Sequence, residues 1–321
     1  MKNLKTKAII TLLLLCMLFS VLLTGCTGNE SIKRIQFSDN ESGTTKTNVD
    51  LKDSEITGFD ARALETENSL KLYKVKRAEF AHDGEEVNAI AKYLKVDYAD
   101  MTYNEEKNEI SYDGSRNITF TITNGYRVVY NKFIDEYKMT HNITATNEEL
   151  IEKGLKVLSE IPFLEGEYVY ASMGERTFSD GVNEYVFYKS CTFRRKINGL
   201  AVDGNGSCTV GFTNDGLAML TVSYYTYEEM NGKYDIISLE EAGEQLAKPQ
   251  LFKTSQGNVS VENIAKLEIS KCELVYVNEY NNGYDTIQPF YRIKGTLYSE
   301  HIENLDRIYT DSFTMYIPAL E

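Results

Sequence analysis

The spacing of apolar residues marks three helices, each behind a polar start. After Asp83-Gly84-Glu85-Glu86, the residues Val87, Ile90, Ala91 and Leu94 fall on one face at the step of an amphipathic helix. After Thr146-Asn147-Glu148-Glu149, Leu150, Ile151, Leu155 and Leu158 do the same, and Pro162 stops the run. Ser238-Leu239-Glu240-Glu241 opens a shorter helix containing Ala242 and Leu246 and ending near Pro249, with Ile237 and Ala242 placed as a hydrophobic staple. Between the helices the period changes to two. Residues 117–122 alternate, reach Asn124-Gly125 and return through residues 126–130, which predicts a hairpin. Residues 208–212 reach Asp215-Gly216 and return through residues 217–222 in the same way. Further strands are predicted over 185–195, 273–280, 290–298 and 312–317.

The landmarks repeat. Asp113-Gly114 and Asp203-Gly204 lie 90 residues apart, the two hairpin turns 91, and Thr146 and Ser238 92. This predicts an α+β fold of two related lobes, residues 58–180 and 181–321, each an antiparallel sheet with a helix packed on one face. Val87, Ile90 and Leu94, with Leu150, Leu155 and Leu158, are the predicted helix contributions to the core.

The chain ahead of these lobes has a different pattern. Lys2, Lys5 and Lys7 precede a mostly apolar stretch over residues 8–23, which at 16 residues is short of a membrane-spanning helix. The stretch ends in Leu22-Leu23-Thr24-Gly25-Cys26, which resembles the lipobox of bacterial lipoproteins. That resemblance implies a signal peptide over 1–25, a diacylglycerol on Cys26, and a mature chain anchored by lipid on the extracytoplasmic face of the cell membrane. Residues 26–57, polar and without period, are predicted to be a disordered tether.

Charge supports the address. The 34 Lys and Arg stand against 48 Asp and Glu, a net charge of −14. Loss of residues 1–25 removes three Lys and leaves 31 basic and 48 acidic side chains, or −17. Such a chain lacks the cations that displace counterions from nucleic acid. Lys, Asn, Ile and Tyr are plentiful and Pro is scarce, a composition that hints at a Gram-positive source.

Residues 193–202, Phe193-Arg194-Arg195-Lys196-Ile197-Asn198-Gly199-Leu200-Ala201-Val202, resemble a strand and Asn-Gly turn of the YycH/YycI family and of PepSY-like modules. The hairpin over 206–225, the helix start Ile236-Ile237-Ser238-Leu239-Glu240-Glu241-Ala242, Leu274-Val275-Tyr276, residues 287–293 and residues 314–319 continue the resemblance in order. Ala201 stands where that family has Pro, and a lipid anchor replaces its membrane helix. The resemblance implies a non-enzymatic regulatory module that binds an envelope or membrane protein such as a two-component sensor kinase.

Residues able to carry chemistry are few. The three His, His82, His141 and His301, lie far apart. Paired acids such as Glu85-Glu86, Glu148-Glu149 and Glu240-Glu241 fall at helix starts, where they complement the helix dipole. Cys191 and Cys208 are open to two readings, a disulfide between neighbouring strands or two buried small apolar residues, of which the second is favoured. No catalytic residue, cofactor or metal ligand is assigned. Arg194, Arg195 and Tyr291, with the segments 198–202, 274–280 and 290–298, are predicted to form an aromatic interaction surface with a cationic rim. Two other readings stand beside binding: an envelope hydrolase with paired carboxylates, and capture of a small ligand or cation. Oligomeric state is not legible.

Overall fold

The computed structural model describes residues 32–38, 45–47, 49–62, 64, 67–81, 83–114, 118–123, 126–161, 163–255, 264–299 and 309–321. The chain groups into two units, Met1–Arg34 and Ile35–Glu321, and the second carries the fold. The leader, Cys26 and the turn Asn124-Gly125 lie outside the described residues.

The second unit opens with short strands β1 (Thr45–Thr47), β2 (Glu55–Thr57), β3 (Ser69–Leu70) and β4 (Tyr73–Arg77). Helix α1 (Glu85–Leu94) precedes the meander β5 (Thr102–Asn104), β6 (Glu109–Gly114), β7 (Ile118–Thr123) and β8 (Arg127–Lys132). A single turn, α2 (Glu136–Met139), and helix α3 (Asn147–Glu160) lead to the long pair β9 (Glu167–Ser179) and β10 (Glu184–Ile197). Then come β11 (Leu200–Gly204), β12 (Cys208–Thr213), β13 (Gly216–Ser223), β14 (Tyr225–Glu229) and β15 (Tyr234–Asp235). The chain ends with α4 (Leu239–Gly243), β16 (Leu251–Thr254), β17 (Ile264–Asn278), β18 (Thr286–Ser299) and β19 (Tyr309–Pro318).

The expectation of two α+β lobes is overturned. Among the described residues 51% are strand against 15% helix, and seventeen strands hydrogen-bond into one mixed sheet. One run is antiparallel throughout, in the order β5-β6-β7-β8-β13-β12-β10-β9. The other runs β1-β16-β19-β18-β17, with β2 and β11 both pairing parallel to β17. The β10–β11 hairpin joins the two runs. The boundary drawn at 180/181 therefore cuts through the β9–β10 pair. The two hairpins read as cores of separate lobes lie side by side, because β8 pairs with β13. Strand pairing across 90 residues leaves no local mark in a sequence, whereas a repeated hairpin-then-helix pattern does.

Where β11 meets β17, Gly204 has φ +86° and a Cβ there would collide with the Asn278 carbonyl oxygen. Only glycine permits that approach.

The helix faces are buried as their spacing requires. Val87, Ile90 and Leu94 of α1 and Leu150 and Leu158 of α3 pack with Phe120, Ile122, Phe193, Val210 and Leu220, and Leu155 is half-buried at the margin. Thr146 and Glu149 form the expected capping box, as do Ser238 and Glu241. Helix α1 does not: its N-cap is Gly84, without a side-chain cap. Cys191 and Cys208 are free and buried. In register Cys191 faces Val210 and Cys208 faces Phe193, so each packs as a small apolar residue and no disulfide joins them.

The second run is covered on both faces. Tyr291, Ile293, Phe313, Met315 and Ile317 pack beneath α4 with Leu51 and Leu239. The alternate positions Val275, Val277, Phe290 and Tyr316 form another core with Ile35, Leu251 and Tyr284. The tether expectation is corrected here for its described residues. β1 pairs with β16, β2 with β17, and Ile35 and Leu51 are 2% and 1% exposed.

Candidate functional site

Chemistry-bearing side chains gather at two places. The first is a pocket of about 290 Å3 lined by Tyr137, Lys138, His141, Phe187, Thr213, Asn214 and Asp215. It forms because the chain leaving β8 makes only one helical turn. Thr140 Oγ1 donates to the Tyr137 carbonyl at 2.7 Å, and His141 Nδ1 lies 3.2 Å from the same oxygen. The Tyr137 and His141 rings meet edge to face at 5.3 Å. The following loop is fastened to the β12–β13 turn by Asn214, whose Oδ1 accepts from the Thr144 amide and hydroxyl at 3.0 and 3.2 Å. Asn214 Nδ2 donates to the Asn142 carbonyl at 3.0 Å, and Asn142 Oδ1 accepts from the Val186 amide at 2.7 Å. Lys138 Nζ pairs with Asp215 at 2.5 Å; the hydrogen bond and charge of Lys138 hold the Asp215 carboxyl below its usual range. Phe187 is the buried floor. Tyr137 is 77% exposed at the rim and Phe133 is 63% exposed just ahead of α2. Aromatic rings around a recess whose loop is fixed by amide side chains suit the docking of an apolar or ring-bearing side chain from a partner.

The second place is a charge cluster on the second run. Asp203, 3% exposed, receives Arg292 Nη1 at 2.5 and 2.6 Å, Arg194 Nε at 2.6 Å and the Tyr316 hydroxyl at 2.7 Å. Arg292 Nη2 also donates to Glu273 at 2.9 Å, and Lys271 pairs with Glu273 at 2.8 Å. Burial pushes the Glu273 carboxyl up, but hydrogen bonds from Lys271 and Arg292 and their charges outweigh it and hold it below 4.5. Burial, then the charges of Arg292 and Arg194, pull the Lys294 amine below 10.5. The cluster ties β10, β11, β17, β18 and β19 together.

The predicted interaction surface is dismantled by these contacts. Tyr291 is 0% exposed and its hydroxyl donates to the Ile237 carbonyl at 2.7 Å. Arg194 is held by Asp203. Arg195 lies over the Tyr227 ring at 5.1 Å and donates to the Tyr225 carbonyl at 3.1 Å. Tyr291 faces the core beneath α4, while Arg194 reaches the opposite face. An expectation of a half-exposed sheet fails here because both faces of this run are covered around Tyr291 and Tyr316. Cys26 lies outside the described residues.

The pocket was missed in the sequence, where Tyr137 and His141 stand four apart in a polar loop and Phe187 and Asn214 come from distant strands. Their i, i+4 spacing was the one local signal. The thiols are poor nucleophiles: burial pushes Cys191 to about 11 and Cys208 to about 12. Among the described residues no group of three or more His, Cys, Asp or Glu is arranged to hold a metal ion, and no helix is long and apolar enough to cross a membrane.

No protein-family model matches the chain, and no curated protein does. A solved structure of an uncharacterized protein from Eubacterium rectale is similar in fold, with a TM-score of 0.53 and 13% identity over 83% of this chain and 87% of that one. The C-terminal domain of YpeB from Bacillus megaterium aligns over 73% of this chain and 99% of its own, at a TM-score of 0.42 and 12% identity, too loose a match to carry an argument.

Proposed function

We propose that the protein is a lipid-anchored module on the extracytoplasmic face of the cell membrane that works by binding an envelope or membrane protein at the pocket beside α2, and not by catalysis. The anchor rests on the lipobox-like run ending at Cys26. The observation that carries the binding reading is the highly exposed ring of Tyr137 in the lining of a pocket whose loop is fastened by Asn142 and Asn214, with Phe133, also exposed, four residues earlier in the chain. Water-exposed aromatic area beside a fixed recess is what protein interfaces enrich. Hydrolysis finds less support. Glu149 and Glu241 are engaged as helix caps, and Asp203 and Glu273 are bridged by Arg292.

The test places a photo-crosslinking residue at Tyr137 in intact cells. A discrete adduct with one membrane or envelope protein is expected, lost when Phe187→Ala removes the floor and absent when the probe stands at Glu105. Adducts no different from those at Glu105, or turnover of peptidoglycan by the purified protein, overturn the reading.

A further inference from the structure

The face of the second run that carries Tyr316 is cationic, and the chain is fastened to it close behind Cys26. Residues 35–37 lie across this face as a strap. The Ile35 amide donates to Gln288 Oε1 at 3.0 Å, the Gln36 amide to the Tyr284 hydroxyl at 2.9 Å, and Gln250 Nε2 to the Ile35 carbonyl at 2.7 Å. Phe37 packs on Phe290 and Tyr316 at 5.5 and 6.2 Å between centroids. Beyond Tyr316 the strand register sets one cross-strand row, Lys271–Lys294–Thr314–Lys253, over β17, β18, β19 and β16. Lys271 and Lys294 stand directly opposite each other, an arrangement that costs stability. With Lys266, Arg194 and Arg292, six cations stand on this face against Asp203, Glu268, Glu273 and Glu279, in a chain whose net charge is −14. Arg194 and Arg292 are bound to the buried Asp203, so Lys253 and Lys271 are the exposed cations of the row.

We propose that this face is a docking surface for anionic lipid headgroups, with the strap setting its distance from the bilayer. The inference rests on the lipid-anchor reading given above. Eight residues lie between Cys26 and Ile35, nine steps along the chain that even fully extended span about 30 Å. A lipid on Cys26 thus keeps the strap, and the lysine row beside it, within that distance of the headgroups. Lysines near an anionic surface are attracted to it over about a Debye length. The acidic remainder of the chain is repelled, and the two effects together orient the domain. The cost of setting Lys271 against Lys294 is offset when phosphates lie above them.

The experiment uses the full-length protein purified from membranes, with Cys272→Ser. A donor dye is attached at Ser312→Cys, on the same strand as Tyr316, or at Glu105→Cys, in the β5–β6 turn. The protein is reconstituted in vesicles bearing a headgroup acceptor. Peptide mass first reports the lipid on Cys26. On phosphatidylglycerol vesicles, energy transfer from position 312 is expected to exceed that from position 105 by about two-fold, and the excess vanishes on phosphatidylcholine and in about 0.5 M salt. Lys253→Glu with Lys271→Glu removes it, and Lys253→Ala with Lys271→Ala reduces it, in variants whose unfolding midpoints show them folded. A lipidated protein with equal transfer from both sites overturns the docking surface and leaves the anchor standing. Loss of the excess on adding inorganic phosphate at constant ionic strength overturns it in favour of a free-anion site. An unmodified Cys26 removes the anchor and this inference together.

Discussion

Asp203 is satisfied only because three other strands, β10, β18 and β19, deliver its partners. Its oxygens are filled by two guanidinium groups and a phenol, so the charges are costly to bury and more costly to unpair. Arg292→Met is expected to destabilise the protein by about 3–5 kcal/mol, measured by urea unfolding, because the buried Asp203 loses a partner and the half-buried Glu273 loses another. Glu273 gives this a pH signature. Its folded pKa is depressed, so its contribution is present above about 4.5 and disappears as pH falls through the lower folded value. Without Arg292 that depression shrinks, and the variant's stability falls less steeply than wild type as pH drops below about 4.5. An equal slope in both proteins would show that Lys271 alone holds Glu273. The run Arg194-Arg195-Lys196 was legible as unusual charge, but Arg292 and Tyr316 lie 89 and 113 residues from Asp203. No spacing rule connects them, and Tyr291, on the opposite face of the sheet, belongs to the core.

Helix α3 shows which local signals survive folding. Its capping box and its buried stripe follow from side chains three and four apart. The stripe contains Gly154 between Leu150 and Leu158, and a Cβ there would stand 2.5 Å from the Phe193 ring. Phe193 is fully buried and cannot give way. Gly154→Ala gains about 1 kcal/mol of helix propensity but incurs about 1–3 kcal/mol of overpacking. The net expectation is a lower unfolding midpoint in thermal melts, with Phe193→Leu in the same chain restoring part of it. A higher midpoint for the single variant would mean that the helix and sheet are free to separate. Helix starts and hairpins were therefore readable, whereas the order of strands in the sheet was not, since β8 beside β13 and β11 beside β17 depend on contacts far along the chain.

At the scale of the whole molecule, the N-terminal segment that composition marks as a tether closes the C-terminal sheet. Polar residues there hid two short strands and two isolated apolar positions, too sparse to give a period. Ile35 and Leu51 bury on opposite faces of the second run, each contributing about 1.5–3 kcal/mol. β1 covers the edge of β16, and β2 part of the edge of β17. The Leu51 amide is bonded to the Ala247 carbonyl at 2.7 Å beside α4. A chain beginning at Gly58 forfeits all of this. The expected loss of about 3–6 kcal/mol from the two side chains alone is a large share of a typical domain stability of about 5–15 kcal/mol. Two strand edges are bared as well, which invites association. A chain beginning at Ile32 keeps the strap and both strands. The expectation is that the longer chain unfolds in urea as the full-length protein does. The shorter one shows a much lower midpoint and concentration-dependent light scattering. Equal midpoints would return residues 32–57 to the role of a linker.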